Sequence, residues 1–159
     1  MANAILFDIL TQIRTDIQAL TLPGIGAANI VIQKVPSTRD KDLPATKFPC
    51  VIIAPFGAES MESAGNLRDD VVYPVAVVVM ASEKDEAEQP QEQQAKNFEM
   101  YLKWRETIRK SFIQQRLTSS LVFKIELQPL DIVDRAAWFD RNVFASGLVL
   151  RCHSRESRG

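Results

Sequence analysis

The chain has 159 residues, of which 46% are apolar and 25% charged, and its formal net charge is −1. That length fits one domain with a substantial core, and that balance belongs to an ordinary globular protein. The near-neutral charge argues against a dedicated nucleic-acid binder, and no stretch reaches the roughly 18 uninterrupted apolar residues of a membrane span.

From the N-terminus, Ile5, Leu6, Ile9, Leu10, Ile13, Ile17 and Leu20 recur at three- and four-residue steps, which predicts an amphipathic helix. Asp8, Arg14 and Asp16 interrupt its apolar run, and no basic leader or cleavage site appears, so the chain is expected in a reducing cytoplasm. Pro23, Gly24 and Gly26 stop the helix. The glycine pair follows a helix and leads into a strand, the reverse of the order a phosphate cradle needs. Asn29 to Val35 reads as a strand, and residues 36–49, with three prolines and five charges, as a long loop. Cys50 to Gly57 reads as a short buried strand, followed by a polar connection.

The segment "RDDVVYPVAVVVMAS" from Arg68 is the third expected strand, and it is apolar on both alternate sets of residues. One face can cover the helices; the other must meet a second layer of this chain or another subunit. Pro74 cannot donate to a ladder and marks an edge or a bulge. Charge then segregates. Residues 83–92 hold five acids and one lysine, and residues 93–118 hold six basic and two acidic side chains. Such blocks are solvated faces or contacts between charged subunits.

A second helix is expected from about Gln91 to Gln115, with Phe98, Tyr101, Leu102, Ile108 and Phe112 inward. Lys96, Lys103, Glu106, Arg109 and Lys110 would face water, and Trp104 is less easily placed inside. Leu121 to Gln128 alternates as a strand covered on one face. Residues 129–142 read as a connection plugged by Trp138 and Phe139, and the chain closes with a strand from Val143. The expectation is a single α+β domain over residues 1–152, with a flexible tail over 153–159. Its order is α-β-β-β-α-β-β, with a mixed, mostly antiparallel sheet of about five strands and two main helices on one face.

Little in the sequence carries chemistry. The single histidine, His153, lies between Arg151 and Arg155, and with only two separated cysteines a zinc site is not expected. Cys50 and Cys152 read as buried free thiols, with one structural disulfide as the alternative. Asp69 and Asp70 would point to opposite faces of a strand, which favours salt bridges over a shared metal site. An alternative of another class is a metal-dependent nuclease or hydrolase using Asp69 or Asp70 with Asp131 or Asp134. Lys96, Lys103, Arg105, Arg109, Lys110 and Arg116, interleaved with Tyr101 and Trp104, could track phosphates, but core packing accounts for Tyr101 and Phe98. No catalytic residue, cofactor or metal is therefore assigned.

Taken together, the opening helix "ANAILFDILTQI", the loop "VPSTRDKDLP", the strand "RDDVVYPVAVVVMAS", the helix "MYLKWRETIRKSFIQQRL" and the end "VFASGLVLRCHSRESRG" resemble the tail terminator and head–tail joining proteins of tailed bacteriophages. The resemblance covers nearly the whole chain and includes no catalytic signature. It implies a small non-enzymatic virion protein that forms a six-fold ring, stops tail-tube growth and lets DNA pass without specific binding. The implied partners are further copies of the chain, the tail tube protein, a neck connector and the sheath protein. Arg39, Asp40, Lys41, Asp42, Arg151, Arg155 and Arg158 become candidate subunit or tube contacts. Glu83, Asp85, Glu86 and Glu88 become a candidate lumen or axial loop, where like charge would keep DNA sliding. A head-completion or stopper protein on the portal side is the alternative within the class.

Overall fold

A computed structural model describes residues 4–35, 48–65, 67–82, 89–113, 122–135 and 143–158. The predicted first helix, α1, spans Ile5–Ala19 and buries Ile9, Leu10, Ile13 and Ile17. The Leu20 and Thr21 amides close on the Ile17 and Gln18 carbonyls, and Thr21 turns the chain away with a left-handed φ of 48°. Six strands follow: β1 (Ile30–Ile32), β2 (Cys50–Pro55), β3 (Ser60–Ser63), β4 (Arg68–Ser82), β5 (Lys124–Pro129) and β6 (Val143–Ser157). The second helix, α2, spans Gln91–Phe112 between β4 and β5. Among the described residues no helix is long and apolar enough to cross a membrane.

The sheet order is β1-β2-β4-β6-β5, with β3 also paired to β4. Only β1 and β2 run parallel; the other pairings are antiparallel. The result is one α+β domain with a mixed sheet, as the sequence predicted. Both helices pack on the same face. Ile9, Ile13 and Ile17 of α1 and Tyr101, Trp104, Ile108 and Phe112 of α2 share one core with Val51, Ile53, Val75, Val77, Leu148 and Leu150. Trp104 is buried there, and its Nε1–H donates to the Pro23 carbonyl at 2.7 Å, tying α2 to the turn after α1. Phe98, expected inward, is 43% exposed near the start of α2, although its ring still meets Phe144 edge-on.

Three expectations need correction. The polar segment after β2 contains a strand, β3, whose four residues are all exposed. It is held by backbone pairing to residues 69–72 of β4, so its side chains carry no apolar signal. Most of the expected tail, residues 153–157, is the last third of β6, which pairs with β4 as far as Ser157. Pro74 marks neither an edge nor a bulge. It lies in a central strand, in a register with β6 that runs unbroken from Arg68 to Ser82.

The joint between β2 and β3 explains the proline. β2 pairs with β4 down to Val75, and β3 takes over at Val72. The Pro74 carbonyl accepts from the Phe56 amide at 2.9 Å, in the chain that links those two strands. A strand residue's N–H and C=O point to the same side, so the missing N–H of Pro74 faces a place where the ladder changes partner.

The apolar second face of the sheet is also largely accounted for within the chain. Cys50, Ile52, Met80, Val143 and Ala145 form a cluster of their own on the side away from the helices, joined by Phe48, Val31 and Val78. Ile52 and Met80 are fully buried in the single chain. This end of β4 is therefore shielded within the single chain rather than left for a neighbour.

Candidate functional site

Two regions combine charge with exposure: the far end of the β3–β4–β6 ribbon and a groove beside α2. β4 and β6 each have 15 residues, about 50 Å at the usual strand rise. The helices cover only part of that length. Beyond Val71 and Ser154, both buried, three residues of β4, three of β6 and the last two of β3 continue as a short arm that is exposed or half-buried.

Acid–arginine pairs hold the arm on both faces. Asp70 lies directly opposite Arg155, and the guanidinium meets its carboxylate through two bonds of 2.7 and 3.1 Å. Asp69 points the other way, where Arg158 contacts its Oδ1 from Nε at 2.9 Å and from Nη2 at 2.7 Å. Arg158 also donates to Ser63 of β3 at 2.9 Å, so all three strands are joined. The hydrogen bond from each arginine holds the carboxyl of its aspartate below the ordinary value of 3.8. Next to Asp69, on the same face, the Tyr73 hydroxyl donates to Glu156 at 2.5 Å; burial first, and then that carboxylate, push the phenol pKa up.

On the opposite face the Arg155 guanidinium stacks 5.3 Å from the Phe123 ring centroid. His153 Nε2 approaches Glu126 to 2.7 Å, an ion-pair distance off the line that a hydrogen bond needs, and Lys124 reaches the same carboxylate at 3.2 Å. Met61 and Leu67 on the arm are 67% and 70% exposed.

The second region is built around Arg105. Its side chain leaves α2 on the buried stripe, with Tyr101, Trp104, Ile108 and Phe112. Its Nη1 donates to Ser146 Oγ at 2.6 Å and to the Gly147 carbonyl at 2.7 Å, and its Nη2 donates to the Leu130 carbonyl at 3.0 Å. Burial first, and then neighbouring Arg109, lower its pKa. Arg105 therefore ties the segment just after β5 to the first third of β6. Leu130 and Asp134 extend that pairing through their amides, to the Gly147 and Ala145 carbonyls. A Cβ on Gly147 would lie 3.1 Å from Leu130 Cδ1, so the close approach of this segment uses a residue without a side chain. The groove alongside, of about 970 Å³, is lined by Arg105, Arg109, Pro129, Leu130, Asp131, Ile132, Val133 and Arg135.

Of the candidate contacts, Arg155 and Arg158 are engaged within the chain by Asp70 and Asp69. Arg151 is half-buried on β6 opposite Pro74. Arg39, Asp40, Lys41, Asp42, Glu83, Asp85, Glu86 and Glu88 lie outside the described residues. The acids offered for a hydrolytic site are not brought together. Asp70 sits opposite Arg155 and the Asp134 amide bonds Ala145, ten residues away along β6, or about 33 Å. Among the described residues no three His, Cys, Asp or Glu side chains are grouped to hold a metal ion. Cys50 and Cys152 are buried free thiols on opposite faces of the sheet, which leaves no geometry for a disulfide.

The role of Arg105 was missed in the sequence because it counted among the basic surface residues. Its spacing from Tyr101, Ile108 and Phe112, at steps of four, three and seven, was the available signal. No protein-family model matches the chain, and no curated protein matches it.

Proposed function

We propose that this chain is a structural assembly subunit, a tail terminator of a tailed-phage virion. It closes into a ring of identical copies that caps the tail tube and joins it to the head-side neck, while DNA passes through unbound. The name of the assembly comes from the sequence resemblance. The observation that carries the assembly role is the arm, where three strands run out beyond the helices and are locked by ion pairs on both faces. Exposed Met61 and Leu67 accompany them.

A stiff ribbon carrying charge and scattered apolar side chains is suited to reach a neighbour. Among the described residues β3 pairs with β4 alone, which leaves the main chain of its outer edge for strand addition. Tail tubes incubated with the purified protein and imaged by electron microscopy test the reading. The expected image is a ring on one end of each tube and arrested tube growth; tubes that keep growing, uncapped, in excess protein would contradict it.

A further inference from the structure

β3 is the strand whose residues are all exposed, and among the described residues it pairs with β4 alone. The other edge strands, β1 and β5, each hold a buried residue, Ile30 and Ile125. The Ala64 amide bonds the Arg68 carbonyl at 3.0 Å, which fixes the ladder's alternation. Ser60 and Glu62 therefore exchange main-chain bonds with Val72 and Asp70, and the amides and carbonyls of Met61 and Ser63 turn outward.

This edge is complementary to itself. An antiparallel partner sets like faces together, so Met61 opposite Met61 of a second copy places Glu59 opposite Ser63 and Ser60 opposite Glu62. The Ser63 hydroxyl accepts from the Arg158 guanidinium at 2.9 Å, so each Glu59 carboxylate faces an arginine across the joint. Within one copy, among the described residues, Glu59 and Glu62 meet no cation at ion-pair distance. Met61, 67% exposed, meets its own counterpart on the axis. The neighbouring registers are worse. One opposes Glu62 to Glu62, and like charges directly opposite are destabilising. The other sets Ser63 against Gly57, where the chain already turns with a φ of 85°.

From this self-complementarity we infer that β3 pairs with β3 of a second copy, antiparallel about a two-fold axis at Met61, with Glu59 of each copy facing Arg158 of the other. The contact goes beyond the ring reading and does not rest on it, since a two-fold contact closes on itself and cannot repeat head to tail. Two strands of four residues make a small interface, and a copy paired in this way has no open β3 edge left for a ring neighbour.

Disulfide trapping in the full-length protein is the test, because native Cys50 and Cys152 are buried. Met61→Cys should give a covalent dimer under mild oxidation, since facing Cα atoms of a hydrogen-bonded pair stand about 5.5 Å apart. Glu62→Cys should link at least about tenfold more slowly, because its two copies stand about 7–8 Å apart on the diagonal. Glu59→Lys added to Met61→Cys should slow linking at least about threefold, as should high salt. Melting temperatures of all variants should match the parent, since these positions are exposed. Absence of a covalent dimer, equal rates at positions 61 and 62, or a rate indifferent to Glu59→Lys would overturn the inference. So would exchange protection of the Met61 and Ser63 amides that appears with tail tubes and never with further copies of the chain. Tube capping by the parent protein is scored separately: uncapped tubes remove the ring and leave the pair, whereas capped tubes without trapped dimer remove the pair alone.

Discussion

Arg105 is a cation placed where a hydrophobic stripe would ordinarily continue, and its worth lies in the acceptors it satisfies. One planar fork donates to Ser146 Oγ, to the Leu130 carbonyl and, beside the Leu130 amide, to the Gly147 carbonyl. Arg105→Met would fill much of the volume yet take the guanidinium from Ser146 Oγ and the Leu130 carbonyl, at about 1–3 kcal/mol for each one that water cannot reach. Urea unfolding should show a loss of at least about 2 kcal/mol for Arg105→Met, with Arg105→Lys recovering only part of it, since one ammonium cannot span the fork. A neutral result for Arg105→Met would remove the guanidinium from its structural role.

The thiols offer a second test at this scale. Burial pushes Cys50 up to about 11 and Cys152 up to about 12. Thiol reagents attack the thiolate, so the native protein should label slowly at mildly alkaline pH, and unfolding should release two reactive thiols. The sign of the linkage follows. The folded state holds these protons more tightly than the unfolded chain, so their contribution is intact below the ordinary thiol value of 9.0 and is lost as pH rises through about 11. Rapid labelling of both thiols under native conditions would show that the sheet faces are open.

Among the elements, β4 is the most informative. Pro74 is tolerated because its missing N–H points at the joint between β2 and β3, so Pro74→Ala should change stability little. The same residue type one position on should not be tolerated. Val75 pairs with Leu150 on the unbroken β6 side, and Val75→Pro would orphan a buried acceptor at about 1–3 kcal/mol, besides its steric clash. Thermal melting of the two variants checks the contrast; equal losses would mean that the joint is not what accommodates Pro74.

The arm makes a pH prediction. Asp69 and Asp70 have lowered pKa values through Arg158 and Arg155, so what these pairs add is present above 3.8 and is lost as pH falls through the lowered folded values. Amide exchange in residues 154–158, corrected for intrinsic rates, should accelerate selectively on acidification into that range. Protection unchanged there would show that the pairs do not hold the arm.

Both helices and the strands β2, β4, β5 and β6 could be read from apolar periodicity, because burial of one or both faces writes itself into the residue pattern. β3 could not, since Ser60, Met61, Glu62 and Ser63 are all exposed and only their backbone is paired. The last third of β6 reads as a tail for the same reason: Arg155 and Arg158 find their partners 85 and 89 residues away, in β4. Trp104 and Arg105 were misjudged because a polar tip or a cation on a buried stripe is admitted only by particular acceptors, the Pro23 carbonyl for one and β6 for the other.

At the scale of the whole molecule, a self-sufficient core is joined to surfaces it does not use. The sheet's second face, expected to meet either a second layer of this chain or another subunit, is buried at its Met80 end within the single chain. Among the described residues, the arm, the groove beside α2 and the start of α2, where Phe98 and Met100 are 43% and 36% exposed, are surfaces that leave charged or apolar side chains open to a neighbour. In the ring we propose, every subunit makes the same contact twice, which is how contacts modest in each copy add up to a stable assembly. Native mass spectrometry of the purified protein over a wide range of concentration tests this most directly. The account predicts one dominant closed oligomer, six copies by the sequence resemblance, that gives way to monomer as salt is raised; a protein that stays monomeric at every concentration and salt would contradict it.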